Sequence, residues 1–260
     1  MSLPKIVYKG HGMGNDFIIY DDFEDKFEPN SQEIQKVCDR HFGIGADGLI
    51  RLTKKDNYFM DYRNADGSIA EMCGNGTRVC LAFLRYLGFT SISDTIDLET
   101  RAGIKKLSYI DDDTIQVDMG EFKTGDSYLV NFWLKDGSKS QVSARFVDMG
   151  NPHLVAILEN EEQLNNLDLT KKPIMKPNLE TGANFEFAVI ENNQNLAKMR
   201  VFERGVGETL SCGTGICATG IVTGQNNIQV PGGVAGVEVH SNQVKLSGPA
   251  KITARIELLN

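Results

Sequence analysis

Long apolar runs, blocks of basic residues and closely paired cysteines are all missing from this sequence, and each absence removes a class of function. No stretch approaches the roughly 20 apolar residues that cross a bilayer, so no membrane partner is expected. The amino terminus Met1-Ser2-Leu3-Pro4-Lys5 has no apolar core of a secretory signal, and the expected compartment is the cytoplasm. Lys and Arg number 27 against 35 Asp and Glu, a formal charge of −8 without a basic stripe, so nucleic acid is not an expected partner. The cysteines are Cys38, Cys73, Cys80, Cys212 and Cys217, an odd number with no Cys-x-x-Cys. Free thiols in a reducing compartment are therefore expected rather than a disulfide framework.

What remains is an ordinary globular composition, 41% hydrophobic and 24% charged, in 260 residues. That length suffices for one large or two small domains with cores that need no staples. Against this background two stretches stand out, Glu71-Met72-Cys73-Gly74-Asn75-Gly76-Thr77 and Leu210-Ser211-Cys212-Gly213-Thr214-Gly215. Both read Cys-Gly-x-Gly and run into an apolar segment, a pattern that can open a helix with its unpaired N–H groups exposed to a ligand. A cysteine there stands at the positive end of the helix dipole, which favours thiolate.

In chain order, strands are expected at Lys5–Lys9 and Phe17–Tyr20 around a turn Gly10–Asp16. The turn spells Gly-x-Gly-x-Gly and precedes a strand, so it is read as a β-turn and not as a dinucleotide loop. Asn30 and Glu33 form a capping box for a helix whose inner face takes Ile34, Val37, Cys38 and His41. Strands at Leu49–Thr53 and Tyr58–Arg63 lead to the turn Asn64–Ser68 and the first cysteine stretch, whose helix has almost no polar face. Short strands follow to Gly120, and from Leu129 the pattern begins again, with a small capped helix after Asn160.

The repetition has a register. Met13-Gly14-Asn15 returns as Met149-Gly150-Asn151 and Cys73 as Cys212; Asn to Cys is 58 residues in one half and 61 in the other. Asn64 stands nine residues before Cys73, and Glu203 nine before Cys212. The expected fold is α/β (α+β) in two pseudo-symmetric domains, each a mixed or antiparallel sheet wrapped around a buried helix, with the active site in the cleft between them. The expected boundaries are 1–119 and 120–249, with a final strand in 250–260 crossing back to the first.

Two thiols at equivalent helix starts suit a two-base racemase. One sulfur as thiolate removes an α-proton, the other as thiol returns one to the opposite face, and the helix N–H groups hold the carboxylate that takes up the carbanion charge. Alternatives from the residues alone are a redox pair or a metal site, for which the Cys73-x₆-Cys80 and Cys212-x₄-Cys217 spacings are a poor fit to structural zinc. Cys38, Cys80 and Cys217 read as small core residues.

The stretches Gly12–Phe17, Asn64–Ser68, Cys73–Arg78, Met149–His153, Glu203–Thr209 and Cys212–Gly215 together resemble the diaminopimelate epimerase family over nearly the whole chain. The resemblance implies cofactor-free and metal-free interconversion of LL- and meso-2,6-diaminoheptanedioate, in lysine and cell-wall precursor synthesis, by a homodimer. It implies catalytic roles for Cys73 and Cys212 flanked by His153 and Glu203. By the same resemblance Asn15, Gly74, Asn75, Gly213 and Thr214 surround the reacting centre, while Asn64, Asn151, Asn184 and Arg204 clamp the distal one, Arg204 pairing with the second carboxylate. One departure is Gly48, where many relatives carry Gln, so Gly48 is left out of the site. The rival substrates are proline, hydroxyproline or a basic amino acid on the same fold, although Asn75 stands where proline racemases show His. A thiol protein that is non-catalytic or binds metal is the rival of a different class.

Overall fold

A computed structural model describes residues 3–191 and 194–259. Met1 and Ser2, which belong to the amino-terminal stretch read above, lie outside them. The chain is mixed α/β and dominated by sheet, and it divides into two compact units, Met1–Asp118 with Gly248–Asn260, and Met119–Ser247. No helix among the described residues is long and apolar enough to cross a membrane.

The first unit runs β1 Ile6–Gly12, β2 Asn15–Asp21, α1 Ser31–Cys38, β3 Gly48–Lys54, β4 Tyr58–Asn64, α2 Gly74–Tyr86, β5 Thr95–Thr100, β6 Gly103–Tyr109 and β7 Thr114–Glu121, the last reaching the unit boundary. Strands β1 and β2 form a hairpin with Gly12 opposite Asn15. The expected seven-residue turn is thus only Met13-Gly14, because both residues take positive φ, 50° and 82°, as a two-residue turn matched to strand twist requires. Strand β2 pairs in parallel with β3, and β3 antiparallel with β4.

Residues Phe17–Tyr20 of β2 are all buried, which requires cover on both faces of the sheet. Ile18 and Tyr20 pack with Ile34, Val37 and Cys38 of α1, capped by Asn30 and Glu33 as expected. The alternate positions Phe17 and Ile19 turn to the face where α2 lies. That helix is buried from Gly74 through Leu84 and packs on β1, β2, β4 and β6. His41 corrects the expectation made for it: α1 ends at Cys38, and Asp39 accepts the N–H groups of His41 and Phe42, which breaks the helix and leaves His41 exposed.

The second unit comprises β8 Lys123–Trp133, β9 Lys139–Asp148, β10 Pro152–Ile157, α3 Glu161–Asn165, β11 Ile174–Lys176, β12 Asn184–Glu191, β13 Leu196–Glu203, β14 Gly207–Thr209, α4 Gly213–Thr223, β15 Asn227–Val230, β16 Gly233–His240 and β17 Gln243–Pro249. Strand β10 pairs antiparallel with β9 and parallel with β12, and β12 antiparallel with β13. Period-2 alternation sorts the two faces. Leu154, Ala156, Phe185, Phe187 and Val189 join one core with Leu164 of α3, so His153, Asn184 and Glu186 face the other way. Helix α4 lies against β10, β12, β13, β15 and β16, close enough that a Cβ on Gly220 would sit 2.7 Å from Val237 Cγ1. The last strand, β18 Lys251–Glu257, pairs antiparallel with β1 in the first unit.

Candidate active site

Each unit offers its cysteine in the same local setting. Cys73 is the N-cap of α2 and Cys212 that of α4, both with extended backbone (φ −140° and −118°) and neither capping through its side chain. A sulfur is a weak cap acceptor, so it satisfies the first N–H groups of its helix poorly. Gly74 and Asn75 therefore open α2, and Gly213 and Thr214 open α4.

In the first unit, Asn15 begins β2 directly after the tight turn. Its Oδ1 accepts from Cys73 Sγ at 3.5 Å and from Asn75 Nδ2 at 3.2 Å, while its own Nδ2 donates to Asp47 at 2.7 Å. Asp47 and Asp16 share Arg40, and Lys9 pairs with Asp16 at 2.6 Å. Burial alone would raise the Asp16 carboxyl, but hydrogen bonds and charge from Arg40 and Lys9 prevail and hold it at about 2. Asn75 is fixed from beneath by Arg78, a fully buried residue that donates to Asn75 Oδ1 at 2.6 Å and to the Gly74 carbonyl at 3.3 Å. Asn64, at the end of β4, donates to Ser68 Oγ at 2.9 Å within its turn. At Gly48 a Cβ would stand 2.5 Å from the Arg63 carbonyl oxygen and 2.6 Å from the Tyr62 ring, so this β3–β4 pairing has no room for the relatives' glutamine.

The second unit brings its expected residues into one connected cluster. His153 is fully buried in strand β10. Its Nδ1 lies 2.7 Å from Glu186 Oε1 and its Nε2 3.1 Å from Asn151 Oδ1. Asn151 Nδ2 donates to Thr214 Oγ1 at 3.4 Å, and that hydroxyl is 3.6 Å from Cys212 Sγ. Asn184 accepts the Arg204 backbone N–H at 2.8 Å, which turns its Nδ2 toward His153 Nε2 at 3.5 Å. Glu203, at the end of β13, accepts the Thr209 hydroxyl and the Cys212 thiol. Arg204 donates to the Thr181 carbonyl at 2.7 Å and lines a cavity of about 490 Å³ with Lys172, Met175, Leu179 and Glu180.

Electrostatics act strongly on the second unit's sulfur. Burial pushes the Cys212 thiol well above its ordinary value, and the carboxylates of Glu203 and Glu186 add to the rise; Thr214 and the Gly215 N–H only partly oppose them. The dipole argument made from sequence is thus outweighed at Cys212 by desolvation and two nearby acids. Burial likewise raises the Glu203 carboxyl, with the Thr209 hydrogen bond working against it. Cys73 is half-buried and donates to Asn15. Cys38, Cys80 and Cys217 are buried, and burial lifts the Cys38 thiol to about 12. No group of three His, Cys, Asp or Glu side chains among the described residues is placed to hold a metal ion.

Glu186 was missed in the sequence, and so were Asp47, Arg78 and Thr209. A signal for Glu186 was present, since Asn184-Phe185-Glu186-Phe187-Ala188-Val189-Ile190 puts one carboxylate into an otherwise apolar strand.

The family model described as diaminopimelate epimerase matches residues 7–124 and 145–253. The diaminopimelate epimerase of Corynebacterium glutamicum strain R is 37% identical, over 98% of this chain and 98% of the relative. That of Streptomyces coelicolor is 34% identical over 99% and 96%. Among solved structures, a phenazine biosynthesis protein of the PhzF family from Bacillus anthracis superposes with a TM-score of 0.70 at 17% identity, covering 98% of this chain and 99% of the other. A hydroxyproline epimerase from Agrobacterium vitis, with trans-4-hydroxy-L-proline bound, gives 0.61 at 13% identity, covering 99% and 92%. At such identities these two structures speak to the fold alone.

Proposed function

The chain belongs to the diaminopimelate epimerase family, and from that premise we propose that it interconverts LL- and meso-2,6-diaminoheptanedioate by a two-base mechanism without a cofactor. The observation that supports the mechanism is the repeated placement of a cysteine as the N-cap of each unit's buried helix. In this reading each sulfur acts on one face of the substrate's α-carbon.

Cys73 as thiolate takes the α-proton of one epimer. The electron pair moves into the adjacent carboxylate, whose growing charge is met by N–H groups at the starts of α2 and α4. Cys212 as thiol delivers a proton to the opposite face, so the product leaves with Cys73 protonated and Cys212 ionised, and the reverse reaction restores the pair. This assignment of resting states follows from burial and from Glu203 and Glu186, which favour the neutral form of Cys212. His153 and Glu203 flank the Cys212 sulfur, Asn15 the Cys73 sulfur. Asn64, Asn151, Asn184 and Arg204 would hold the distal amino-acid head, Arg204 supplying the charge complement to its carboxylate. The reading extends to a cytoplasmic homodimer, which sedimentation equilibrium checks.

The test is turnover of LL-2,6-diaminoheptanedioate with α-proton exchange in D₂O followed by NMR. Wild-type protein should exchange and epimerise, and Cys73→Ala and Cys212→Ala should each lose epimerisation by at least about 10³-fold, as expected when an acid–base partner is removed. Wild-type-like turnover in either variant would sink the mechanism; exchange of proline or hydroxyproline instead would replace the substrate.

A further inference from the structure

The two asparagines beside Cys73 hang between a guanidinium and a carboxylate to which the mechanism above gives no task. Arg78, on α2, is fully buried; its Nη2 donates to Asn75 Oδ1 at 2.6 Å and its Nη1 to the Gly74 carbonyl at 3.3 Å. The guanidinium is backed by Gly248 of the same unit, where a Cβ would stand 3.5, 3.6 and 3.7 Å from Nη2, Cζ and Nε. Asp47 lies in the loop before β3. One of its oxygens, Oδ2, accepts Asn15 Nδ2 at 2.7 Å and the Asp16 backbone N–H at 3.2 Å, and the other accepts Arg40 at 2.7 Å.

A side-chain amide has two orientations, with oxygen and nitrogen exchanged, and these two ends select one. A guanidinium only donates, so Asn75 must turn its oxygen to Arg78, and its Nδ2 donates onward to Asn15 Oδ1 at 3.2 Å. Asp47, paired with Arg40, meets Asn15 as an acceptor, so Asn15 turns its nitrogen to Asp47. Both ends thus demand the same orientation of Asn15, with Oδ1 toward Cys73 Sγ at 3.5 Å. Asn75 is also held from the side of β1, where a Cβ on Gly12 would stand 3.3 Å from its Cβ and its carbonyl oxygen. An oxygen beside the sulfur accepts the hydrogen of a thiol and gives none to a thiolate, whose lone pairs stay available to the α-proton.

We propose that Arg78 and Asp47 are positioning residues which, acting through Asn75 and Asn15, hold an acceptor oxygen rather than an N–H against the Cys73 sulfur. Without Arg78, Asn75 is free to turn its own oxygen toward Asn15. Without Asp47, Asn15 is free to turn its nitrogen toward the sulfur, where an N–H would compete with the α-proton for the thiolate lone pair. No bond is made or broken at either residue. This inference rests on the reading of Cys73 as a catalytic thiol.

The experiment is a pair of double-mutant cycles on kcat/KM in the full chain, Arg78→Met with Asn75→Ala and Asp47→Ala with Asn15→Ala. It is joined to a ¹H–¹⁵N spectrum of the asparagine side-chain amides, taken without substrate. Arg78→Met and Asp47→Ala should each lower kcat/KM about 10- to 100-fold, as misplacement near 1 Å does in a positioned site. On the Asn75→Ala or Asn15→Ala background the same change should lower it at most about twofold further, because the amide it acts through is gone; a merely structural role would give losses that multiply. In the spectrum, with signals assigned by their loss in Asn75→Ala and Asn15→Ala, the Asn75 pair should shift in Arg78→Met and the Asn15 pair in Asp47→Ala. Losses that multiply in either cycle, or amide signals that stay in place, would overturn the proposal. The Asp47 side chain is 42% exposed, so its cycle decides even if Arg78→Met folds poorly. Absence of wild-type turnover would count against the proposed function instead, and the amide spectrum would still test the orientation.

Discussion

The third residue after each cysteine is a glycine, and the two are not equivalent. Replacing Gly215 by Ala sets a methyl 2.7 Å from Glu186 Oε1 and 3.3 Å from its Cδ and Cγ, whereas ordinary contact begins at 3.4 Å, so something must move by about 0.7 Å. Glu186 cannot yield cheaply, because His153 holds it at 2.7 Å in a fully buried site. The first turn of α4 must lift, and with it Cys212 and the N–H groups beside it. Overpacking of this kind costs about 1–3 kcal/mol, against about 1 kcal/mol regained from the helix propensity of Ala over Gly. The net loss is about 0–2 kcal/mol, a fall in Tm of at most about 8 °C. Activity should suffer more, since misplacement near 1 Å costs about 10²-fold in a positioned site. The internal reference is Gly76→Ala in the first unit, where the tightest contact of the new methyl is the Ile50 Cδ1 tip at 3.2 Å, with Cys73 Cβ and Met60 Sδ at ordinary contact distances of 3.5 and 3.6 Å. Calorimetry of both variants with kcat of Gly215→Ala makes the comparison. Gly76→Ala should hold or raise Tm, and Gly215→Ala should lose kcat by about 10- to 100-fold. Wild-type kcat in Gly215→Ala would refute the claim that Glu186 and α4 are in fixed register.

Two further outcomes follow from the charges. Burial and the neighbouring carboxylates keep Cys212 protonated, so limited iodoacetamide at pH 8 with peptide mass mapping should label Cys73 before Cys212, and the opposite order would contradict the resting states assigned here. Asp61 is buried between Arg63 at 2.8 Å and Arg101 at 2.5 Å; burial alone would raise its carboxyl, but the two guanidinium groups prevail and hold it below the usual 3.8. Asp61→Asn leaves those cations uncompensated and should cost about 3–5 kcal/mol in urea unfolding at pH 7. A group lowered on folding contributes stability above its unfolded value that is lost as pH falls through its folded value, so the gap between wild type and variant should close below pH 3.8. A gap independent of pH would exclude the ionic origin.

Features of the site that lie close together in sequence were legible there. Cys73 and Cys212 were placed at helix starts because a glycine pair followed by apolar residues is a local signal, and Asn30 with Glu33 marked a cap for the same reason. The repeat of Met-Gly-Asn and Cys-Gly-x-Gly sets Asn15 and Asn151 in the same register of the two halves, 58 and 61 residues before their cysteines. His41 was misread because its periodicity fits a helix that Asp39 ends by taking two backbone N–H groups. Gly48 was a puzzle in sequence, and its meaning is steric: the partner strand's carbonyl occupies the place of its Cβ.

The sequence by itself thus determined the duplicated architecture, the two thiols and the family, since these rest on local patterns and their spacing along the chain. Only the tertiary structure decided the state of Cys212 and the place of Glu186. A thiol's charge depends on desolvation and on acids brought near by other strands, and a helix dipole read from local sequence is one contribution among several. Glu186 meets His153 because β10 and β12 pair in parallel with His153 opposite Asn184, which turns residues 33 positions apart onto one face beneath α4. Strand register, which no short motif specifies, places a buried carboxylate behind the histidine.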